Sequence, residues 1–154
     1  MAQLNYDYGT AKGVAGGKVD ISFDEVITRM NEVEDGVLKF GMAVVVGTKA
    51  GNTVKKPAAT SDKFEGVVVC HANTEQDMNG NVVVKKGASL GVMTKGHIWG
   101  RLATGVTPAY GEKAYAVVTG NDAGTFTNVA DGALETGATF GKYTDGELAV
   151  IVLK

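Results

Sequence analysis

The stretch LGVMTKGHIWGRLATGVTPAYGEK, residues 90–113, decides how the rest of the sequence is interpreted. An extended run that includes Val92 is interrupted at Gly96 and resumes at His97. This pattern predicts a strand, a turn and a second strand. Pro108 and Gly111 then form a corner, which ends the second strand and directs the chain into a third one.

The second of these runs has two distinct faces, because successive side chains of a strand point to opposite sides. Ile98, Gly100 and Leu102 share one face, and His97, Trp99 and Arg101 share the other. Trp99 is the only tryptophan of the chain.

Composition favours one mainly β domain. The chain has 154 residues, which is one domain by the usual size of a folding unit. It contains 22 valines but only 7 leucines, and β-branched side chains suit a pleated surface better than a helix. Its 22 glycines have no three-residue period, so they indicate many turns and not a collagen-like chain.

Charge and cysteine content limit the classes of partner. The net charge is −2 with the signs interspersed, so nothing in the sequence would grip a phosphate backbone, and we expect no nucleic acid partner. No apolar stretch approaches the roughly 20 residues of a membrane helix, so no membrane partner is expected. A single cysteine excludes an intramolecular disulfide framework. The first residues lack the pattern of a secretion signal, which favours synthesis and assembly in a cytosol.

The first 36 residues are predicted to form an N-terminal arm, and residues 37–154 the β body. Residues 1–20 carry few large apolar groups, so they recover little of the backbone entropy lost on ordering. Leu4, Tyr6 and Tyr8 alternate with polar residues. The arm is therefore either a disordered tail or a strand that pairs with the sheet edge of another protein.

Residues 22–35 carry the best helix signal of the chain. Ser22 and Glu25 match a capping box, and Gly36 is a plausible stop. Apolar residues recur at spacings of three and four, which predicts one short helix. A two-residue alternation is the alternative, and it would make this stretch extended.

The body is predicted to be a small β-barrel or β-sandwich, jelly-roll-like or β-tulip-like, because turn signals recur every eight to fifteen residues or so. Asn79-Gly80 and Asp145-Gly146 are hairpin candidates, and residues 121–124 are interpreted as a hairpin loop. The predicted core residues are Val44, Val46, Val68, Ile98, Leu102, Val117, Phe126, Phe140, Leu148, Val150 and Val152.

No motif indicates catalysis, a metal or a cofactor. Cys70 and His71 are adjacent, but neighbours on a strand point to opposite faces, so a buried structural cysteine is the better interpretation. Two histidines and one cysteine lack the spacing of zinc ligands. Residues 13–18 have the wrong spacing for a phosphate loop and are interpreted as a flexible joint. An enzyme whose catalytic histidine or acidic pair converges from separate strands stays open as the least favoured function.

The sequence resembles the capsid cement, or decoration, proteins of tailed bacteriophages. The resemblance lies in the Lys-Gly-x-Ile-Trp strand from Lys95, the Val-x-Pro-x-x-Gly corner from Val106 and the Ala-Tyr-Ala-Val strand from Ala114, and it extends from about Phe40 to the C-terminus. It implies a structural protein on the outer surface of the expanded capsid of the virion. Such a protein bridges major capsid protein subunits and stabilises the head against the pressure of packaged DNA. It would act as a homo-oligomer, a trimer or a dimer, without enzymatic activity or a cofactor.

The predicted contacts with the capsid or with neighbouring subunits are Leu4, Tyr6, Tyr8, Ile21 and Phe23. The alternative function is a carbohydrate- or surface-binding β-sandwich module displayed on a virion. Such modules expose aromatic platforms, whereas this chain has few aromatic residues, and Trp99 and Tyr115 are plausible core residues.

Overall fold

The computed structural model describes residues 12–71, 75–76 and 78–154. Within them the chain is built of β-strands and turns and has no helix, which confirms the mainly β prediction. The strands β1 to β11 are Glu25–Asn31, Ala43–Val46, Thr53–Lys55, Phe64–Val68, Glu75–Gln76, Val82–Val83, Ser89–Arg101, Lys113–Val117, Phe126–Thr127, Ala133–Asp145 and Leu148–Leu153.

The helix predicted for residues 22–35 is wrong, because Glu25–Asn31 form β1. Its alternation is that of a strand: Ile27 packs against the buried cluster, while Val26 and Met30 are 43% and 39% exposed. Pairing with β3 and β7 satisfies the backbone of β1, and this tertiary context overrides the local capping signals. The domain boundary between residues 36 and 37 stays a prediction.

Five strands close into a small barrel in the order β1-β3-β2-β4-β7, with β7 pairing back to β1. Closure depends on the parallel pairing of β1 with β3, in which Met30 lies opposite Thr53. The barrel interior is filled mainly by branched aliphatic side chains, as expected for a narrow barrel. Its buried cluster consists of Leu38, Val44, Val54, Val68, Val84, Leu90 and Val92.

Strand β7 is a single strand of 13 residues, so the turn predicted around Gly96 is wrong. The glycine instead marks a change of partner. Before it β7 pairs with β1 and β4, and from it onward β7 pairs with β11. Gly96 has a φ of +116°, and a Cβ there would lie 2.8 Å from the Cβ of Asp24. A residue with a side chain would therefore be strained and would clash at this point.

The remaining strands extend the sheet from β7 in the order β11-β10-β8-β9. This sheet curls until Ala103, just past β7, donates a backbone hydrogen bond of 2.9 Å to Phe126 of β9. The larger core lies between this sheet and the outside of the barrel. It includes Ala43, Val45, Val67 and Met93 from the barrel strands and Ile98, Phe126, Phe140 and Ile151 from the sheet.

Seven of the predicted core residues are buried, namely Val44, Val68, Ile98, Leu102, Phe126, Phe140 and Val150. The other four, Val46, Val117, Leu148 and Val152, are only half-buried. In β8 and β11 the side chains that face the larger core are neighbours of the predicted ones. Ala116 and Ile151 face the core cluster, whereas Val117 and Val152 alternate with them on the opposite side.

Turn signals located the hairpins well. Strands β10 and β11 pair up to Asp145 and Leu148, with a φ of +58° at Gly146. The loop between β5 and β6 contains Asn79-Gly80, and residues 121–124 lie in the loop between the paired strands β8 and β9. All three predictions are confirmed.

One buried amide fastens the barrel where β1 ends. Asn31 is 1% exposed, and its side chain donates to the carbonyl of Lys85 at 3.1 Å and accepts from the backbone N–H of Val33 at 3.0 Å. Its backbone bonds to Gly87 and Ala88 as well. The residue therefore joins β1 to the loop that leads into β7.

We expect Asn31→Ala to lower the free energy of unfolding by about 1–3 kcal/mol, because it leaves buried backbone groups without partners. Denaturant titration of the full chain measures this change. The matched control is Asn52→Ala at an exposed position, which should change stability by no more than about 0.5 kcal/mol. Equal stability losses in the two variants would contradict this role for Asn31.

Candidate interaction surface

The N-terminal segment of the described chain lies along the second half of β7. Gly16 donates to the carbonyl of Trp99 at 2.8 Å, Trp99 donates back to Gly17 at 2.9 Å, and Val19 donates to His97 at 3.2 Å. Lys18 forms an antiparallel bridge with Ile98. Residues 16–19 thus occupy the side of β7 that β11 leaves open.

Glycine at position 13 allows this segment to approach the sheet closely. A Cβ on Gly13 would lie 2.9 Å from the indole ring of Trp99 and 3.1 Å from a methyl group of Leu148. The N–H of Gly13 also donates to the carboxylate of Asp145 at 2.7 Å. The sequence interpretation of residues 13–18 as a flexible joint is therefore wrong for this structure, in which these glycines make close backbone contacts.

A network of three polar side chains fixes the turn after this segment. Asp20 accepts hydrogen bonds from the backbone N–H of Ser22 at 3.0 Å and from the Ser22 hydroxyl. Its other carboxylate oxygen lies 2.7 Å from Nδ1 of His97 on β7. The hydrogen bond from the Ser22 hydroxyl, followed by that with His97, lowers the pKa of Asp20 from 3.8 to about 2.

These residues do not have the arrangement of a serine hydrolase. In a catalytic triad the two ring nitrogens of histidine face the acid and the serine separately. Here Nδ1 of His97 lies 2.7 Å from Asp20 and 3.5 Å from the Ser22 hydroxyl, so one nitrogen faces both groups. The network holds the turn. Its Asp-x-Ser spacing is a local turn signal that the sequence analysis missed, while the contact of Asp20 with His97 required the fold.

The turn displays two large apolar side chains. Ile21 and Phe23 are 105% and 84% exposed, although Asp20 and Ser22 beside them are hydrogen-bonded. We call Ile21 and Phe23 the knuckle. They are two of the five predicted contact residues, and the other three, Leu4, Tyr6 and Tyr8, lie outside the described residues.

An open groove lies beside the knuckle, on the face of β7, β11 and β10 that points away from the core. Its volume is about 330 Å³. Val150 and Val152 supply apolar floor, and Gly141 leaves a depression, since a Cβ there would lie 2.6 Å from Val150. Val19 and Asp20 line one part of the groove and Tyr110 another, and we call this feature the outer groove.

A second cavity, of about 370 Å³, is lined by charges of both signs. Among them Arg101 donates to the carbonyl of Phe40 at 2.7 Å, and Asp122 accepts from the backbone N–H of Thr104 at 3.1 Å. These charged groups are engaged in holding loops together. The cavity therefore shows no single charge preference for a ligand.

The adjacent Cys70 and His71 lie just past β4 and are half-buried, so Cys70 is less buried than predicted. The ring of His71 packs edge-on against Phe40, with 5.4 Å between ring centroids. Among residues 12–71, 75–76 and 78–154, no group of three or more histidine, cysteine or acidic side chains could hold a metal ion. The same residues contain no helix long and apolar enough to cross a bilayer.

The fold and this surface define a class: a β-barrel protein with exposed apolar side chains on a hydrogen-bonded turn. The family model for structural cement protein (E217 gp24/Pam3 gp6) matches residues 2–154. The chain therefore belongs to the phage structural cement protein family, as its resemblance indicates. Structural cement proteins are not a class of enzyme.

A solved structure agrees with this assignment at the level of the fold. The chain is similar to one from "The capsid of Myoviridae Phage XM1", with 15% sequence identity and a TM-score of 0.74. The match covers 100% of this chain and 98% of the other. The comparison with curated proteins found no match.

The hydrogen bonds of Asp20 generate a prediction about pH. Because its folded pKa is lowered to about 2, the stabilisation is fully present above the ordinary value of 3.8 and is lost as the pH falls through about 2. We expect the NMR signal of the Ser22 amide to shift with a midpoint near pH 2. Asp20→Asn should abolish this step, and a midpoint near 3.8 in the unchanged chain would contradict the geometry described for the turn.

Proposed function

We propose that this protein attaches to the outer surface of an expanded phage head, bridges major capsid protein subunits and stabilises the shell against the pressure of packaged DNA. Family membership supports a structural role in the capsid. The observation that carries the proposal further is the knuckle, because two large apolar side chains stand exposed on a hydrogen-bonded turn. Exposed apolar side chains that lie together, as these two do on one turn, are typical of a contact with another protein.

The contact set comprises Leu4, Tyr6, Tyr8, Ile21 and Phe23, which touch the capsid or a neighbouring subunit. Burial of these side chains supplies binding free energy of about 25 cal/mol per Å² of apolar surface. Each contact is small, so attachment depends on several being made at once. A homo-oligomer bound to several capsid subunits raises the effective concentration of every contact after the first.

The alternative of a carbohydrate-binding module loses its main candidate residue. Trp99 is 3% exposed and is covered by the backbone at Gly13, so its ring is not available to stack on a sugar. Among the described residues Tyr110 is a highly exposed aromatic, at 79%, but it stands at the edge of the outer groove. Phe23, at 84%, is the other highly exposed ring among these residues, and it belongs to the proposed contact set.

Head attachment can be tested without disturbing the β body. Because residues 16–19 hydrogen-bond to β7, a truncation should end before them, and we choose deletion of residues 2–11 together with Ile21→Ser and Phe23→Ser. We expect this variant to lose co-sedimentation with expanded heads, since the whole proposed contact set is removed. Circular dichroism and thermal unfolding should show that the barrel is retained.

The matched control is Met78→Ser with Val129→Ser, which removes two exposed apolar side chains outside the contact set. It should bind expanded heads as the unchanged protein does. Neither this control nor the unchanged protein should bind unexpanded heads. If the contact-set variant co-sediments with expanded heads as well as the control, these residues do not attach the protein.

A further inference from the structure

We propose that the knuckle of one copy of this chain seats in the outer groove of another copy. The inference rests on the proposed contact role of Ile21 and Phe23, and it names their partner as a second copy. It assigns these two residues to the contact between subunits and leaves Leu4, Tyr6 and Tyr8 for the capsid.

The knuckle does not fill the groove of its own chain. Val19 and Asp20 line that groove, but Ile21 follows them with a side chain that is 105% exposed, and Phe23 is 84% exposed. A protruding apolar pair and an apolar recess that residues 12–71, 75–76 and 78–154 leave open therefore lie side by side on one surface. Such a surface complements itself when two copies meet.

The floor of the groove is a sheet face that is only partly covered. In the outward row of β7 and β11, Trp99 pairs with Val150 and His97 pairs with Val152. The backbone at Gly13 covers Trp99, whereas Val152 at the other end of the strip is half-buried. The uncovered part gives a recess of about 330 Å³, near the lower limit of about 300 Å³ for pockets that enclose small organic molecules. That is sufficient for one or two large side chains.

Both partners in this contact are ordered before they meet. Asp20 fixes the turn of the knuckle through Ser22 and His97, and strands β10 and β11 hold the groove floor. Ordering two apolar side chains on an already fixed backbone costs less entropy than ordering a free segment. This favours the knuckle over an unfixed segment as the occupant of the groove.

Two of the charges beside these features have opposite signs, while Asp20 in the groove is engaged by His97 and Asp24 after the knuckle by Lys18. Lys142 lines the groove, and Glu25 begins β1 directly after the knuckle turn. A copy that approaches with its knuckle toward the groove brings Glu25 toward Lys142. Opposite charges around an apolar contact favour the correct encounter over other orientations.

The test measures self-association of the full chain by analytical ultracentrifugation over a range of concentrations. The knuckle variant carries Ile21→Ser and Phe23→Ser, and the groove variant carries Val152→Glu. We expect each to weaken association by at least about a hundredfold, because the two apolar side chains buried in each knuckle–groove contact contribute roughly 3 kcal/mol. Met78→Ser with Val129→Ser is the matched control and should leave association unchanged.

A mixture of the knuckle and groove variants identifies the contact. The groove variant retains an intact knuckle and the knuckle variant an intact groove, so a mixed pair regains one knuckle–groove contact and the mixture should associate more tightly than either variant alone. Should Val152→Glu fail to fold, Tyr110→Ser on the exposed wall replaces it. The proposal is overturned if the unchanged chain stays monomeric, if the knuckle variant associates normally, or if the mixture does not associate.

Head binding, measured on the same proteins, separates this inference from the proposed function. A chain that is always monomeric but co-sediments with expanded heads overturns the contact between copies and leaves head attachment standing. Association through the knuckle and groove without any binding to heads overturns the proposed function and leaves the contact between copies standing.

Discussion

The fold depends on the change of partner along β7. One strand of 13 residues closes the barrel with β1 and β4 and then serves the outer sheet through β11. The change occurs at Gly96, whose φ of +116° and close approach to Asp24 are compatible with glycine alone. Because the two halves belong to one strand, the barrel and the sheet are held in a fixed relation and share a core. The same bend sets the position of the knuckle. The turn that carries the knuckle contacts Gly96 through Asp24, and it contacts the next residue, His97, through Asp20.

This arrangement explains why a short N-terminal segment is ordered although it buries few large side chains. Beyond Gly96 one side of β7 would present unpaired backbone groups, and residues 16–19 pair with them. Backbone hydrogen bonding and the contact of Gly13 with Trp99 therefore replace the side-chain burial that the segment lacks. A glycine-rich composition usually indicates flexibility. Here the absence of side chains lets one backbone approach another backbone and an indole ring.

The sequence was sufficient for the fold class, the hairpins and seven of the eleven residues predicted for the core, because these depend on two-residue alternation and on turn residues, which are local. It failed where distant contacts decide. The capping signals at Ser22 and Glu25 are genuine local patterns, but pairing with β3 and β7 makes residues 25–31 a strand. Gly96 has the appearance of a turn residue, and only the presence of different partners on its two sides makes it a bend within one strand. Val117 and Val152 were assigned to the core because both faces of β8 and β11 carry apolar residues, so hydrophobicity alone could not set the register.

For the candidate surface, Ile21 and Phe23 were predicted from their apolar character in a polar arm. The contact of Asp20 with His97 and the outer groove could not be predicted in this way, because each joins residues that are far apart in sequence.

A cement protein that works by adhesion needs a contact that is weak alone and exact in position. In the proposed contact two apolar side chains would give a modest binding free energy, and that energy is useful only when many copies bind in a fixed geometry. If the turn were loose, each contact would lose part of this energy in ordering the chain, and the loss would be repeated in every copy. The hydrogen bonds of Asp20 reduce this cost, because they fix the backbone while leaving Ile21 and Phe23 exposed. Rigidity in the turn would therefore matter more for such a contact than a large interface in any single copy, and in this chain a polar network holds the turn that exposes Ile21 and Phe23.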